Sequence, residues 1–322
     1  VRGKLHGIEF VFSEHSVGAA EYLRGGDPLP EETFEACRKA DAVLLGAMGL
    51  PEVRWPDGRE MTPQLDLRER LDLYAGPRPI YLYSAEDSPL KGYRPGQIDF
   101  VIMRENTEGL FSARGATQAA DGSEATDLLR VTRAGCERIC RFAFEEATGC
   151  QGKVTLVDKA NVLPSMVFFR EVFQEVARDY PDIRTECLYV DAAALHLVQR
   201  PETFDVIVTE NMYGDILSDL AAGLVGGMGM APSGDIGDEC AVFQPAHGSA
   251  PDIAGHGTAN PIAAILSAAM LLDWLGHPES QLGAQLIRDA VREALEDPTH
   301  RTADMGGSLG TAALGDLVVQ AL

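Results

Sequence analysis

Short runs rich in branched and aromatic residues alternate with longer stretches of helical periodicity, and this alternation limits the architectures open to the chain. GIEFVF, AVLLG, RPIYLY, IDFVIM, KVTLVD, TECLYV and FDVIVT each have strand length. PEETFEACRKA, SMVFFREVFQEVARD and PIAAILSAAMLLDWL read as helices. Such interleaving predicts an α/β architecture with a largely parallel sheet, because parallel neighbours need a crossover long enough to hold a helix. At 322 residues there is length for about two domains. No flexible linker separates them, so they are expected to be interwoven. The stretch FSARGATQAADGSEAT, from Phe111 to Thr126, is small and polar and reads as an arm or loop.

Charge narrows the partners. There are 27 Lys plus Arg against 49 Asp plus Glu, a formal charge of −22. That field repels nucleic acid and anionic membranes, so neither is an expected partner, and an anionic substrate needs locally clustered arginines. Six scattered cysteines suit neither a zinc site nor a disulfide framework and imply reduced thiols in a cytoplasmic protein. Cys136 and Cys140 fall on one face of an expected helix, TRAGCERICRFAFEEA. The start VRGKLHGIEF has no apolar core of a signal peptide, and no transmembrane span is expected. There is no P-loop, and Gly255-His256-Gly257 is only a fragment of a dinucleotide fingerprint.

Four clusters carry chemistry. In YGDILSDLAAGL a helix beginning near Tyr213 would set Asp215 and Asp219 one turn apart, with Ile216, Leu217 and Leu220 toward packing partners. Acids in a first turn are favoured by the helix dipole alone; two at this spacing can also share Mg2+ or Mn2+ if a third oxygen arrives from elsewhere. FQPAHGSAPDIAGHGTANP is either a rigid connection or a loop that wraps a nucleotide, an Asp accepting from the ribose hydroxyls. Arg68, Arg78 and Arg104 each end an expected helix or strand; such arginines are commonly solvated, but three converging forks would bind a dicarboxylate. VDKAN places Lys159 and Asn161 after a strand, where a lysine is a surface charge or, desolvated, a proton-transfer group.

The order of RENTEG, DKAN, NMYGDILSD and HGSAPDIAGHGTANP resembles the metal-dependent β-decarboxylating 2-hydroxyacid dehydrogenases, which include isopropylmalate, isocitrate, homoisocitrate and tartrate/D-malate dehydrogenases. The resemblance implies the family's own two-domain α/β fold, not the usual dinucleotide-binding one. Residues 1–73 and 226–322 would form the nucleotide-bearing domain and 74–225 the dimerisation domain. It implies that Arg68, Arg78 and Arg104 grip the malate part of the substrate, with Thr62, Gln64 and Asn161 beside it. Asp215 and Asp219 would bind Mg2+ or Mn2+, with Asp191 completing the site from the other subunit of an obligate homodimer. Lys159 would cross over with Asp191 and handle the proton of the substrate hydroxyl. The cofactor would be NAD, held by His247, Gly248, Ser249, Ala250, Asp252, Ile253 and Asn260; NADP users carry a lysine at the position of Asp252 and often a tyrosine at that of Ile253.

Three departures bear on chemistry. Phe111 stands where the family has a tyrosine that helps protonate the enol after decarboxylation, so CO2 loss is either slowed or absent. Thr62 and Gln64 replace the leucines that hold an isopropyl group, which favours a polar substituent. The glycine-rich turn that opens the family's fold is not in the sequence, so the N-terminal strand is either missing or omitted. Two function classes remain: an NAD-dependent dehydrogenase acting on a substituted malate, and a non-catalytic regulatory subunit of a multi-subunit relative. The intact set of arginines, lysine and aspartates favours the first.

Overall fold

From Ala19 the chain builds α1 (Ala19–Gly25), α2 (Glu31–Lys39), the short β1 (Val43–Leu44) and α3 (Pro63–Arg70). The structure is a computed structural model and describes residues 8–112, 117–118 and 122–322. α2 begins with Glu31 and Glu32 and ends with Arg38 and Lys39, charges that oppose the helix dipole at each end. Its Phe34 packs with Leu29, Leu45, Leu67, Leu73 and Val242.

Next come β2 (Ala75–Tyr81), β3 (Asp99–Glu105), β4 (Thr117–Gln118), β5 (Ala125–Thr126), α4 (Arg133–Thr148) and β6 (Lys153–Asp158). They are followed by α5 (Pro164–Ala177), β7 (Arg184–Tyr189), α6 (Val190–Gln199), β8 (Val206–Thr209) and α7 (Asn211–Ala222). The chain closes with β9 (Pro232–Ile236), β10 (Ala241–Pro245), α8 (Ile262–Trp274), α9 (Pro278–Ala294) and α10 (Thr311–Ala321). Packing divides these elements into two units, Val1–Leu73 with Gly226–Leu322, and Tyr74–Val225.

Within Tyr74–Val225 the strand order is β2-β3-β8-β6-β7. β3–β8, β8–β6 and β6–β7 are parallel, and only β2–β3 is antiparallel. β8 is buried along its whole length, the pattern of a strand covered on both faces. Phe100 and Ile102 of β3 point to one face and pack with Ala193 and Leu197 of α6 and Leu217 and Ala221 of α7. Arg104, two residues further, emerges on that same face. In the other unit β10 pairs parallel with β1 and antiparallel with β9, and α8 packs on β9 and β10.

Several expectations are corrected. Described residues 8–12 of GIEFVF form no strand, and Val11 and Phe12 are solvent-exposed instead of pairing in a ladder. α7 begins at Asn211, not Tyr213, because Glu210 caps it. Leu217 is buried and Leu220 packs on the core, but Ile216 is 58% exposed, since its place on the helix faces away from the sheet. The arm at 111–126 lies partly outside the described residues, and β4 and β5 pair antiparallel within it. All six cysteines are free, with Cys136 and Cys140 buried in α4. No helix among the described residues is long and apolar enough to cross a membrane.

Candidate active site

Arg104, one residue before the end of β3, faces the start of α7. Its Nε and Nη2 donate to Asn211 Oδ1 at 3.0 and 2.9 Å, and Nη1 donates to Asp215. The helix comes this close because residue 214 is glycine: a Cβ there would lie 2.7 Å from Cβ and Cγ of Arg104. Arg104 is buried, so its orientation is set by protein partners and not by solvent. Phe111, in the position expected for tyrosine, lies with its ring 5.6 Å from the guanidinium carbon of Arg104. Antiparallel register sets Gly76 opposite Arg104, so Arg78, two residues along β2, shares its face of the sheet. Arg78 is buried as well and donates to the Pro77 carbonyl at 3.0 Å.

One turn beyond Asp215, Asp219 is exposed and carries a carboxyl raised above its usual range, first by desolvation and then by the charge of Asp215; Arg104 and Arg78 oppose the shift. Two carboxylates one helical turn apart are hard oxygen donors whose mutual repulsion a divalent cation relieves, so this pair fits Mg2+ or Mn2+. Among the described residues of one chain, no three His, Cys, Asp or Glu side chains stand close enough to hold a metal ion. Asp191 therefore does not join Asp215 and Asp219 within the same copy.

Asp191 is instead paired with Lys159. Lys159 follows β6, Asp191 lies in the first turn of α6, and Nζ meets Oδ1 at 2.6 Å. The hydrogen bond from Lys159 holds the Asp191 carboxyl below its usual range. Asn161 is exposed two residues beyond Lys159.

In the unit of Val1–Leu73 and Gly226–Leu322, Arg68 is buried in α3 and its Nε donates to Asp235 of β9 at 2.9 Å. Thr62 occupies the N-cap of α3 and Gln64 is half-buried. The Oε1 of Gln64 is shielded from solvent without a hydrogen-bond partner among the described residues. Leu67 belongs to the core behind it.

The expected nucleotide loop leaves β10. His247 Nδ1 lies 2.9 Å from the Gly248 carbonyl, and Ser249 Oγ donates to the Gly49 carbonyl at 2.7 Å. Ala250 holds a left-handed φ of 42°, unusual for a residue with a Cβ, and accepts from the Ile253 amide at 3.1 Å. Asp252 is exposed, and Ile253 is half-buried. Asn260 is buried, accepting from the Ile262 amide at 3.0 Å and donating to Asp304 at 3.2 Å, so it anchors the loop's far end.

Sequence reasoning missed the residues that hold these groups. Asn211 and Asp235 fix two arginines, and Glu210 accepts from the Tyr213 and Met212 amides at 2.7 and 3.1 Å. Glu105 accepts from the Thr107 and Glu108 amides, and Glu108 from the Thr132 amide, which folds RENTEG into a turn. Inside a motif, acids that bind backbone amides look the same as acids that bind ligands.

The fold is of the α/β class, and comparison with known proteins shows that the class is that of dehydrogenases. Residues 2–318 match the family described as isocitrate/isopropylmalate dehydrogenase. The chain is 46% identical over 324 residues to a 3-isopropylmalate dehydrogenase of Priestia megaterium, covering 98% of this chain and 86% of that one. It is 46% identical over 318 residues to an isocitrate/homoisocitrate dehydrogenase of Thermus thermophilus, covering 98% and 91%. The crystal structure of isocitrate dehydrogenase from Methylococcus capsulatus superposes with a TM-score of 0.88 at 37% identity, covering 98% and 91%. The protein belongs to the isocitrate/isopropylmalate dehydrogenase family and is a dehydrogenase with that family's fold.

Proposed function

We propose that the protein oxidises a 3-substituted malate with NAD, assisted by Mg2+ or Mn2+, and expels the β-carboxylate as CO2. The observation that carries this reading is the meeting of buried Arg104 with Asp215 at the junction of β3 and α7. Arg104 and Arg78 offer planar donors suited to a substrate carboxylate, and Arg68 keeps the same role by resemblance. Asp215 and Asp219, with Asp191 of a second copy, would hold the cation, which when bound acts as a Lewis acid on the substrate oxygens. NAD supplies the hydride acceptor. Lys159, joined to Asp191, would take the hydroxyl proton, and Asn161, exposed two residues further on, would contact the substrate by resemblance. After CO2 leaves, a proton must return to carbon, and the phenyl ring of Phe111 has none to give; water or another group would supply it, at a cost of roughly 10²–10⁴ in rate where general acid catalysis is lost.

Relatives named for isopropylmalate and for isocitrate/homoisocitrate stand at equal identity, so overall similarity does not choose the substituent. Thr62 and the unsatisfied amide oxygen of Gln64 favour a polar one, because burying that amide against an alkyl group costs about 1–3 kcal/mol. Asp252 favours NAD over NADP by repelling a 2′-phosphate, with His247, Gly248, Ser249, Ala250, Ile253 and Asn260 shaping the adenosine loop. The unit containing that loop would bear the nucleotide. Tyr74–Val225 would form the dimer, its α6 and α7 presenting exposed Leu195, Val198 and Ile216.

The test is NAD+ reduction with Mn2+ across isocitrate, 3-isopropylmalate, D-malate and tartrate, with CO2 measured in parallel. NADH with CO2 from a polar-substituted substrate supports the full reading. NADH without CO2 restricts it to oxidation and assigns the loss to Phe111. Absence of turnover on every substrate contradicts it and favours a regulatory role.

A further inference from the structure

The Lys159–Asp191 pair is framed by a side chain that no motif marks. β6 and β7 run parallel with Asp158 beside Tyr189, so Lys159 and the first turn of α6 leave the sheet next to each other. Arg170, on α5, reaches both strand ends. Its Nε and Nη2 donate to Oδ2 and Oδ1 of Asp158, each at 2.7 Å, and its guanidinium carbon lies 5.2 Å from the centre of the Tyr189 ring. Asp158 is fully buried, and its Oδ1 also accepts from the Ala160 amide at 2.9 Å. One carboxylate thus binds the backbone just past Lys159 while its own residue lies just before. Tyr189, on the other side, is the N-cap of α6, two residues ahead of Asp191.

We infer that Arg170 is a positioning residue: by clamping Asp158 and Tyr189 it sets the spacing of Lys159 and Asp191 for their work on substrate and cation. The inference rests on the proposed function for what that pair does. A two-pronged planar fork lying on an aromatic ring is something lysine cannot reproduce, so Arg170→Lys keeps the charge and loses the clamp. Groups hydrogen-bonded directly to metal ligands are typically worth about 10–100-fold in metal affinity or activity. Arg170 acts through the residues beside Lys159 and Asp191, which sets its expected effect toward the lower end of that range.

The experiment measures Mn2+ binding by electron paramagnetic resonance on the full chain, together with kinetics, thermal midpoint and a crystal structure of each variant. Arg170→Lys is expected to bind Mn2+ about 10-fold more weakly and to lower kcat, with KM for NAD+ close to wild type. Asp158→Asn/Arg170→Met, which leaves no unpaired buried charge, is expected to show the same losses if the first variant folds poorly. In metal-free crystals of Arg170→Lys, the 2.6 Å contact between Lys159 and Asp191 should open beyond hydrogen-bond reach. An intact contact, or Mn2+ affinity within twofold of wild type, overturns the inference even if the thermal midpoint falls. Wild type that binds no Mn2+ sinks the proposed function itself, and the crystal contact still decides what Arg170 does.

Discussion

Two arginines owe their orientation to neighbours without a ligand role. Gly214 leaves no room for a methyl group against Arg104, so Gly214→Ala should cost about 1–3 kcal/mol and displace the guanidinium. Urea denaturation and KM for the hydroxy acid would read both effects, and a variant unchanged in each would show that the helix can back away freely. Arg68 and Asp235 form a buried ion pair, to which Gln244 Nε2 also donates at 3.2 Å. Asp235→Ala leaves that arginine buried with its carboxylate gone, a loss of about 3–5 kcal/mol in the same denaturation experiment. The arginines were legible in the sequence, although the expectation that each ends its element fails for Arg78, which lies in the middle of β2. Their partners were not, since Asp235 lies 167 residues from Arg68 and only the fold brings them together.

At the scale of elements, α7 depends on the buried Glu210 at its N-cap, a residue type not among the usual caps, which explains why the sequence placed the start two residues late. Burial raises the Glu210 carboxyl above the usual 4.5, although the Tyr213 and Met212 amides and Arg104 resist. A raised carboxyl binds more protons in the folded state than in the unfolded one. Its contribution is therefore complete below about pH 4.5 and fades as pH rises through the folded value. Glu210→Gln removes that dependence, so its stability relative to wild type should improve from pH 4.5 to pH 7; a constant or falling difference would contradict the assignment. β2, β3 and β6 to β8 were readable from branched and aromatic runs. β9 and β10 were not: PSGDI has a single branched residue, and its ladder with AVFQP is set by tertiary packing.

At the scale of the molecule, the proposed function requires two copies. Ile216 was expected to face the core, yet it joins Leu195 and Val198 among the exposed apolar residues of α6 and α7. Leu195→Asp/Ile216→Asp should shift the sedimenting species from dimer to monomer and abolish turnover; a dimer that persists would move the interface elsewhere. The candidate site residues could be named from the sequence as a set, but their roles and their division between copies were implied by resemblance alone. The most direct test mixes Lys159→Ala with Asp215→Asn, each inactive alone, after reversible dissociation. If Lys159 and Asp191 of one chain serve Asp215 and Asp219 of another, half of randomly paired dimers gain one intact site, restoring about a quarter of wild-type activity. A mixture as inactive as its components would contradict a shared site.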